Sequence, residues 1–460
     1  MRSFKDHATS LLEWSKLSRY RRQLTRENEL SISASNNLQT RLWLKMAHRA
    51  VLQVPYYRQH FQEQGYSVEM ITGLDSLALF PLITRDIVKE HTAAFIADDY
   101  RSKRLWKGHT SGSTGPALDL FMPRFQTTIE KGYIYSQWRR FGYEPGKSRL
   151  LAIRARPDYI SQAGSIVEKL PKQPVYNASV FQVNERTLPQ LLEVIAAKRI
   201  EFIHTYPSTA SYLAGMMESF PGYLTQFRAL KAFLLSSETL HPGAREMVNR
   251  VFGVQVCAHY GHAEHLILGG NCEHNDEYHL WPSYGLVQLV DNAGNEISAP
   301  GLAGELVGTT LTNPAMPLIR YRSGDFAEWS QGDCACGRKW RRICNVIGKY
   351  STDVLFDDSG DRFNLSLIMR VIIFLRDVYP FEFLHRYQFV QETAGEVRLK
   401  IMPMQTFTTE MAEQIREGFE HYTEGRIRIQ LETVTDIPLE KSGKVKLLVQ
   451  KLTQEQDEQH

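Results

Sequence analysis

Between residues 149 and 259 short apolar runs alternate with longer helical patterns: "RLLAIRA", "LPQLLEVIAAKRI", "EFIHTYPS", "TASYLAGMMESF", "KAFLLSS", "HPGAREMVNRVF" and "VQVCAHYG". That βαβα rhythm constrains the chain more than any other feature, because it specifies a parallel sheet covered by helices on both faces. The text on either side differs. The first 90 residues read as mostly helical, with "RLWLKMAHRAVLQ" (41–53) as the clearest amphipathic segment, ended at Pro55. After 284, "YGLVQLVDNAGNEIS" and "GELVGTTL" alternate around a turn signal at 291–294, which predicts an antiparallel or mixed layer.

A second change comes near Gly348. "TDVLFDDSGDRF" and "YQFVQETAGEVRLKIMP" read as hairpins, "TEMAEQIREGFEHY" as a helix and "RIRIQLETV" as a strand. The expected architecture is therefore α/β: a large N-terminal domain of helix-covered sheets over 1–347 and a small α+β domain over 348–460. A chain of 460 residues is longer than one compact core usually takes.

Composition removes several function classes. Hydrophobic residues at 43% and charged ones at 23% are ordinary for a globular protein. A net charge of +3 implies no strongly basic face, and the runs "RYRRQLTR" and "RKWRR" read as solvated surfaces rather than nucleic-acid sites. The opening residues lack the apolar run of a signal peptide. "VIIFL" (371–375), hemmed in by Arg370 and Arg376, is far short of a transmembrane segment, so a cytoplasmic protein is expected. Five cysteines are too few and too odd in number for a disulfide scaffold; clustered ones read as metal ligands.

The stretch "KGHTSGSTGPALDL" (107–120) concentrates Gly, Ser and Thr from Thr110 to Gly115. Such a loop brings backbone N–H groups and hydroxyls close to phosphate oxygens, although read alone it is equally a polar turn. It is neither G-x-x-x-x-G-K-[ST] nor G-x-G-x-x-G. Three further segments follow it in order: "YGHAE" (260–264), "YRSGDFAEW" (321–329) and "PLEKSGKVK" (438–446). Together the four motifs resemble those of the adenylate-forming superfamily of acyl-CoA synthetases and peptide-synthetase adenylation domains. The flanking text, "VPYYR", "LFPLITRDIV", "HTYPSTASYLA", "NPAMPLIRYRSGD" and "CACGRKWRRI", resembles phenylacetate-CoA ligase and the CapK-type proteins of capsular polysaccharide biosynthesis, over nearly the whole chain.

The resemblance implies an AMP-forming ligase that adenylates a carboxylate with Mg-ATP and passes the acyl group to CoA, an amine or a sugar. Thr110, Ser111, Gly112, Ser113, Thr114 and Gly115 would wrap the β- and γ-phosphates, and Glu264 would bind Mg²⁺. Tyr260 and Gly261 would lie against the nucleotide, Tyr260 stacking on adenine, with Ser237 and Glu238 lining the base. Asp325 would accept from the ribose hydroxyls, and Lys444, on the mobile small domain, would face the α-phosphate. His204, Tyr206 and His262 are candidates for the acyl pocket, against the plainer reading of His204 as a satisfied interior histidine. Two alternatives stay open: a nucleotidyl transferase that leaves AMP on its target, and a non-catalytic ATP-binding relative.

The chain departs from the pattern in two places. Ala263 stands where the superfamily shows Thr, and at the hinge "GKYSTD" has Lys349 in place of Arg, with Asp353 aligning only after a one-residue shift. Lys keeps the charge but loses the planar fork that Arg offers a ribose or phosphate. Cys272, His279, Cys334 and Cys336 offer a Cys₃His ligand set, which read alone fits either a closed zinc site or unconnected thiols. Phenylacetate-ligase-like proteins carry a similar zinc-holding pattern, so the resemblance implies structural Zn²⁺, with His274 competing with His279 as fourth ligand. His259, His262 and His265 crowd the second motif, and Cys257 and Cys344 read as small packed hydrophobes.

Overall fold

The computed structural model describes residues 20–109, 118–155, 166–184, 186–219, 221–240, 243–291, 293–348, 354–364, 383–440 and 445–452. The described residues within 1–144 and 259–346 form one compact unit, and those within 145–258 and 347–460 form the other. A change of unit falls between residues 346 and 347, and the described residues beyond it group with those of 145–258.

After a helical stretch over residues 20–27, the first unit carries α1 (Ile32–Gln53), capped by Ser31, whose hydroxyl accepts from the Ala34 N–H at 3.2 Å. Trp43, Met46, Ala47, Ala50 and Val51 lie buried along one face at helical spacing. Val54 is extended, as a residue before proline prefers, and Pro55 occupies the first position of α2 (Pro55–Gln64). That helix ends on Gly65 with φ 66°, a left-handed conformation that glycine adopts without strain. After α3 (Arg85–Glu90), strands β1 (Trp106–His109) and β2 (Asp119–Met122) pair antiparallel, so His109 and Asp119, which flank the Gly/Ser/Thr-rich segment, stand opposite each other. Helix α4 (Gln126–Arg139) comes next.

The expected βαβα region is present in the second unit. Its elements are β3 (Leu150–Arg154), β4 (Val167–Lys169), β5 (Val175–Ser179), α5 (Leu188–Ala197), β6 (Phe202–Thr205), α6 (Pro207–Ser219), β7 (Ala232–Leu235), α7 (Ala244–Phe252) and β8 (Gln255–Gly261). The strand order is β8-β7-β6-β3-β5-β4, parallel except for β4. All four residues of β7 are buried, as expected of a strand covered on both faces. The parallel strands end on one edge of the sheet, where ligand sites of such folds form.

Residues 259–346 return to the first unit and build β9 (Leu268–Gly270), β10 (Tyr278–Leu280), β11 (Gly285–Val290), β12 (Ala303–Thr310), β13 (Tyr321–Trp329) and β14 (Arg342–Ile347), in the order β11-β12-β13-β14-β10-β9. The β11-β12-β13 ladder is antiparallel, as the alternation after 284 predicts. Along β13 burial alternates strictly, so Tyr321, Ser323, Asp325, Ala327 and Trp329 share the inner face.

Beyond 347 the second unit continues with the hairpin β15 (Val354–Phe356)–β16 (Arg362–Asn364), the hairpin β17 (Leu384–Thr393)–β18 (Glu396–Pro403), helix α8 (Thr409–Tyr422), β19 (Arg428–Thr433) and β20 (Leu448–Gln450). Met411, Ile415 and Phe419, four residues apart on α8, enter a core with Phe389, Leu399 and Ile401 of the sheet. Gln391, fully buried, bonds both N–H and C=O of Phe356 through its side chain and ties the two hairpins together. Against α6, the His385 ring packs edge-on to Tyr212 at 5.4 Å and the Arg386 guanidinium lies over the same ring. Among the described residues no helix is long and apolar enough to cross a membrane.

Candidate active site

In the second unit the carboxyl edge of the parallel strands gathers polar groups. His204, near the end of β6, has Nε2 3.1 Å from Ser236 Oγ just beyond β7. Tyr206 accepts from the Ala155 N–H at 3.2 Å through its hydroxyl. Ser237 is held at φ 71°, and Glu238 Oε2 accepts from the Ser208 N–H at 3.0 Å, placing a carboxylate at the positive end of α6. Arg154, which belongs to no motif, lies among them: it donates to Ser236 Oγ (3.2 Å) and Ser237 Oγ (2.8 Å), and its guanidinium sits 4.0 Å from the Tyr206 ring centroid. The available signal was an arginine closing the apolar run "LLAIR" at a predicted strand end.

In the first unit Tyr260, His262, Glu264 and Asp325 come together. The Tyr260 hydroxyl donates to Asp325 Oδ2 at 2.6 Å and lies 2.6 Å from His262 Nε2. A hydroxyl that donates to a carboxylate must accept its second bond, so His262 carries its proton on Nε2. Burial, then the charge of Asp325, raises the phenol pKa well above its ordinary value and keeps it a donor. Asp325 is aimed at this cluster by a bulge. Gly324, at φ 76°, donates its N–H to Glu305 Oε1 at 3.1 Å, and the β12–β13 register slips between Glu305 and Val307.

Glu264 is buried, and the Tyr321 hydroxyl donates to its Oε1 at 3.4 Å. Its neighbour His265 adopts φ 57° and is held there by Glu130 Oε2 (3.0 Å) and the Tyr284 hydroxyl (3.1 Å). These contacts shape the turn that presents Glu264; Glu130 and Tyr284 carried no motif signal. Residues 110–115, Lys349, Asp353 and Lys444 lie outside the described residues.

The cysteine pattern forms a separate cluster in the first unit. Cys272, His279, Cys334 and Cys336 each present one ligand atom, all within 4.8 Å of one another. Cys272 Sγ is 3.5 Å from Cys334 Sγ, and Cys336 Sγ is 3.5 Å from His279 Nε2. A tetrahedral zinc ion with ordinary bond lengths sets its ligand atoms roughly 3.5–3.8 Å apart, so the donor set fits and these two pairs already stand at that spacing. Burial, assisted by Arg338, Arg342 and Arg140, pushes the His279 pKa down to about 2, which leaves a neutral imidazole able to bind metal. At Cys336 burial opposes ionisation, but the Arg338 hydrogen bond and charge outweigh it and lower the thiol pKa. His274 instead is half exposed beside Glu273, and it is its backbone N–H that points to Cys272 Sγ.

Residues 370–451 match the CapK C-terminal domain family. The chain is 26% identical over 375 residues to a phenylacetate-coenzyme A ligase of Thermus thermophilus, covering 79% of this chain and 80% of that one. It is 23% identical over 423 residues to the Escherichia coli K12 protein of the same name, covering 90% and 93%. Among solved structures, a 2-hydroxyisobutyryl-CoA ligase in a postadenylation state matches with TM-score 0.67 at 19% identity over 92% of this chain and 91% of that one. A GH3.15 acyl acid amido synthetase matches with TM-score 0.57 at 12% identity over 86% of each. Over most of its length the chain is thus similar in sequence to phenylacetate-coenzyme A ligases, it shares its fold with a CoA ligase, and its residues 370–451 match a CapK C-terminal domain.

Proposed function

We propose that this protein is a cytoplasmic AMP-forming ligase that adenylates a small carboxylic acid with Mg-ATP and transfers the acyl group to CoA, an amine or a sugar. The observation that carries the reading is the pair of buried carboxylates, Glu264 and Asp325, both bearing on Tyr260. Asp325 would receive the ribose hydroxyls, since an ionised carboxylate is a strong acceptor. Glu264, a hard oxygen ligand, would hold the Mg²⁺ that neutralises phosphate charge. Residues 110–115, between paired strand ends, would wrap the leaving pyrophosphate, and Lys444 would face the α-phosphate as charge builds there. Ser237 and Glu238 would border the base. His204, Tyr206 and His262 would border the acid, and Lys349 would lie at the hinge between two poses of the C-terminal region. Zinc on Cys272, His279, Cys334 and Cys336 would be structural, because four protein ligands leave no open position. The resemblance to CapK-type proteins, whose C-terminal domain residues 370–451 match, would give it a role in surface polysaccharide synthesis.

The test is incubation with Mg-ATP, a panel of acids and either hydroxylamine or CoA. Acid-dependent pyrophosphate release with a hydroxamate or thioester product is expected. Stable AMP left on the product would instead make the protein a nucleotidyl transferase.

A further inference from the structure

Arg154 ends β3 where β6 and β7 also end, beside His204 and Tyr206, which would border the acid. Its guanidinium is fixed from two sides. The Tyr206 ring, pinned by its own hydrogen bond to the Ala155 N–H, stacks against it, and the Ser236 and Ser237 hydroxyls accept from its two terminal nitrogens. Ser236 also lies against His204 Nε2. Among the described residues the acceptors of this cation are thus neutral hydroxyls. The Glu238 carboxylate acts on it through space while its Oε2 takes the Ser208 N–H.

Burying a charge is costly unless it is matched. Here desolvation pulls the Arg154 pKa below the usual guanidinium value, and Tyr206 and then Glu238 recover only part of that. The planar fork is locked in orientation, which favours bidentate binding of an incoming anion. Among the described residues no carboxylate is hydrogen-bonded to this cation, and a side chain such as a phenylacetyl group would bring it none. We propose that Arg154 is a specificity residue that binds a second anionic group on the acid, so that the substrate is a dicarboxylate or an acid bearing a comparable oxyanion. This rests on the protein being a ligase of carboxylic acids.

The experiment compares matched pairs, succinate with butyrate, glutarate with pentanoate and adipate with hexanoate, together with 3-phosphonopropionate and phenylacetate. It measures pyrophosphate release with Mg-ATP and hydroxylamine. At least one doubly charged acid is expected to exceed its singly charged partner by roughly tenfold or more in kcat/KM. Arg154→Leu should abolish that preference, raising KM for the dianion roughly 10- to 100-fold, while KM for ATP and for the monoacid stays within about twofold. Arg154→Lys, which keeps the charge but not the fork, should retain an intermediate preference and keeps the test open if the leucine variant folds poorly. Equal losses on both acids, a raised KM for ATP, or turnover confined to monoacids would overturn the assignment and leave the ligase reading standing. Absence of pyrophosphate release with every acid would overturn both.

Discussion

Tyr260 and Asp325, 65 residues apart in sequence, share a 2.6 Å hydrogen bond that fixes the carboxylate on the inner face of β13. The bond carries a charge, so its loss costs about 1.5–3 kcal/mol wherever the orientation of Asp325 matters. Tyr260→Phe should therefore raise KM for ATP by roughly tenfold or more, with KM for the acid nearly unchanged. Initial rates of pyrophosphate release against ATP concentration measure this. An unaltered KM for ATP would remove Asp325 from the nucleotide site.

Glu264 should set the magnesium requirement. Glu264→Gln keeps the shape and the bond from the Tyr321 hydroxyl but deletes the charge. Loss of one preorganised electrostatic group is expected to lower kcat by about 2.7–4 kcal/mol, or two to three decades. The Mg²⁺ concentration for half-maximal rate should also rise. A variant with the same Mg²⁺ dependence as the wild type would place the ion elsewhere.

The Cys₃His cluster should retain zinc through purification, close to one equivalent by elemental analysis. Removing it with a strong chelator, or substituting Cys334→Ser, leaves a buried cluster without its cross-link. For a unit of this size a loss of about 2 kcal/mol corresponds to a thermal midpoint lower by roughly 4–8 °C. His274→Ala should change neither metal content nor midpoint, because its ring is half exposed and away from the ligand set.

Glu27 makes stability depend on pH. It is 3% exposed, and burial raises its carboxyl pKa above 4.5 despite hydrogen bonds from Ser283 (2.6 Å) and Gln23 (3.0 Å). A raised value means that the folded state holds the proton more tightly than the unfolded chain. The associated stability is thus complete below about pH 4.5 and is lost as the pH rises through the folded value. Each tenfold difference in proton affinity is worth about 1.4 kcal/mol. Glu27→Gln should flatten the dependence of the denaturant midpoint above pH 4.5; identical slopes for wild type and variant would assign the effect to other groups.

Which of these relationships the sequence carries depends on how far apart the partners lie. The βαβα rhythm of 149–259, the antiparallel ladder after 284 and the hairpins and helix beyond 354 are local patterns of period two or 3.6, and the structure contains them. The order of the motifs marked Tyr260, Glu264 and Asp325 in the sequence, while the spacing of Cys272, His279, Cys334 and Cys336 fitted unconnected thiols as well as a ligand set until the fold gathered them. The partners were not legible. Arg154 is one arginine at a strand end until β6 and β7 bring Tyr206, Ser236 and Ser237 beside it. Glu130 has no meaning in the sequence until His265 turns to φ 57° against it. The choice of His279 over His274 followed from β10 pairing with β9 and β14, which carries the imidazole inward. The packing of α6 on β17 likewise joined the C-terminal region to residues 145–258. Alternation along a strand specifies which side chains share a face, but ladder register and crossover order specify what stands opposite, and those are properties of the assembled sheet.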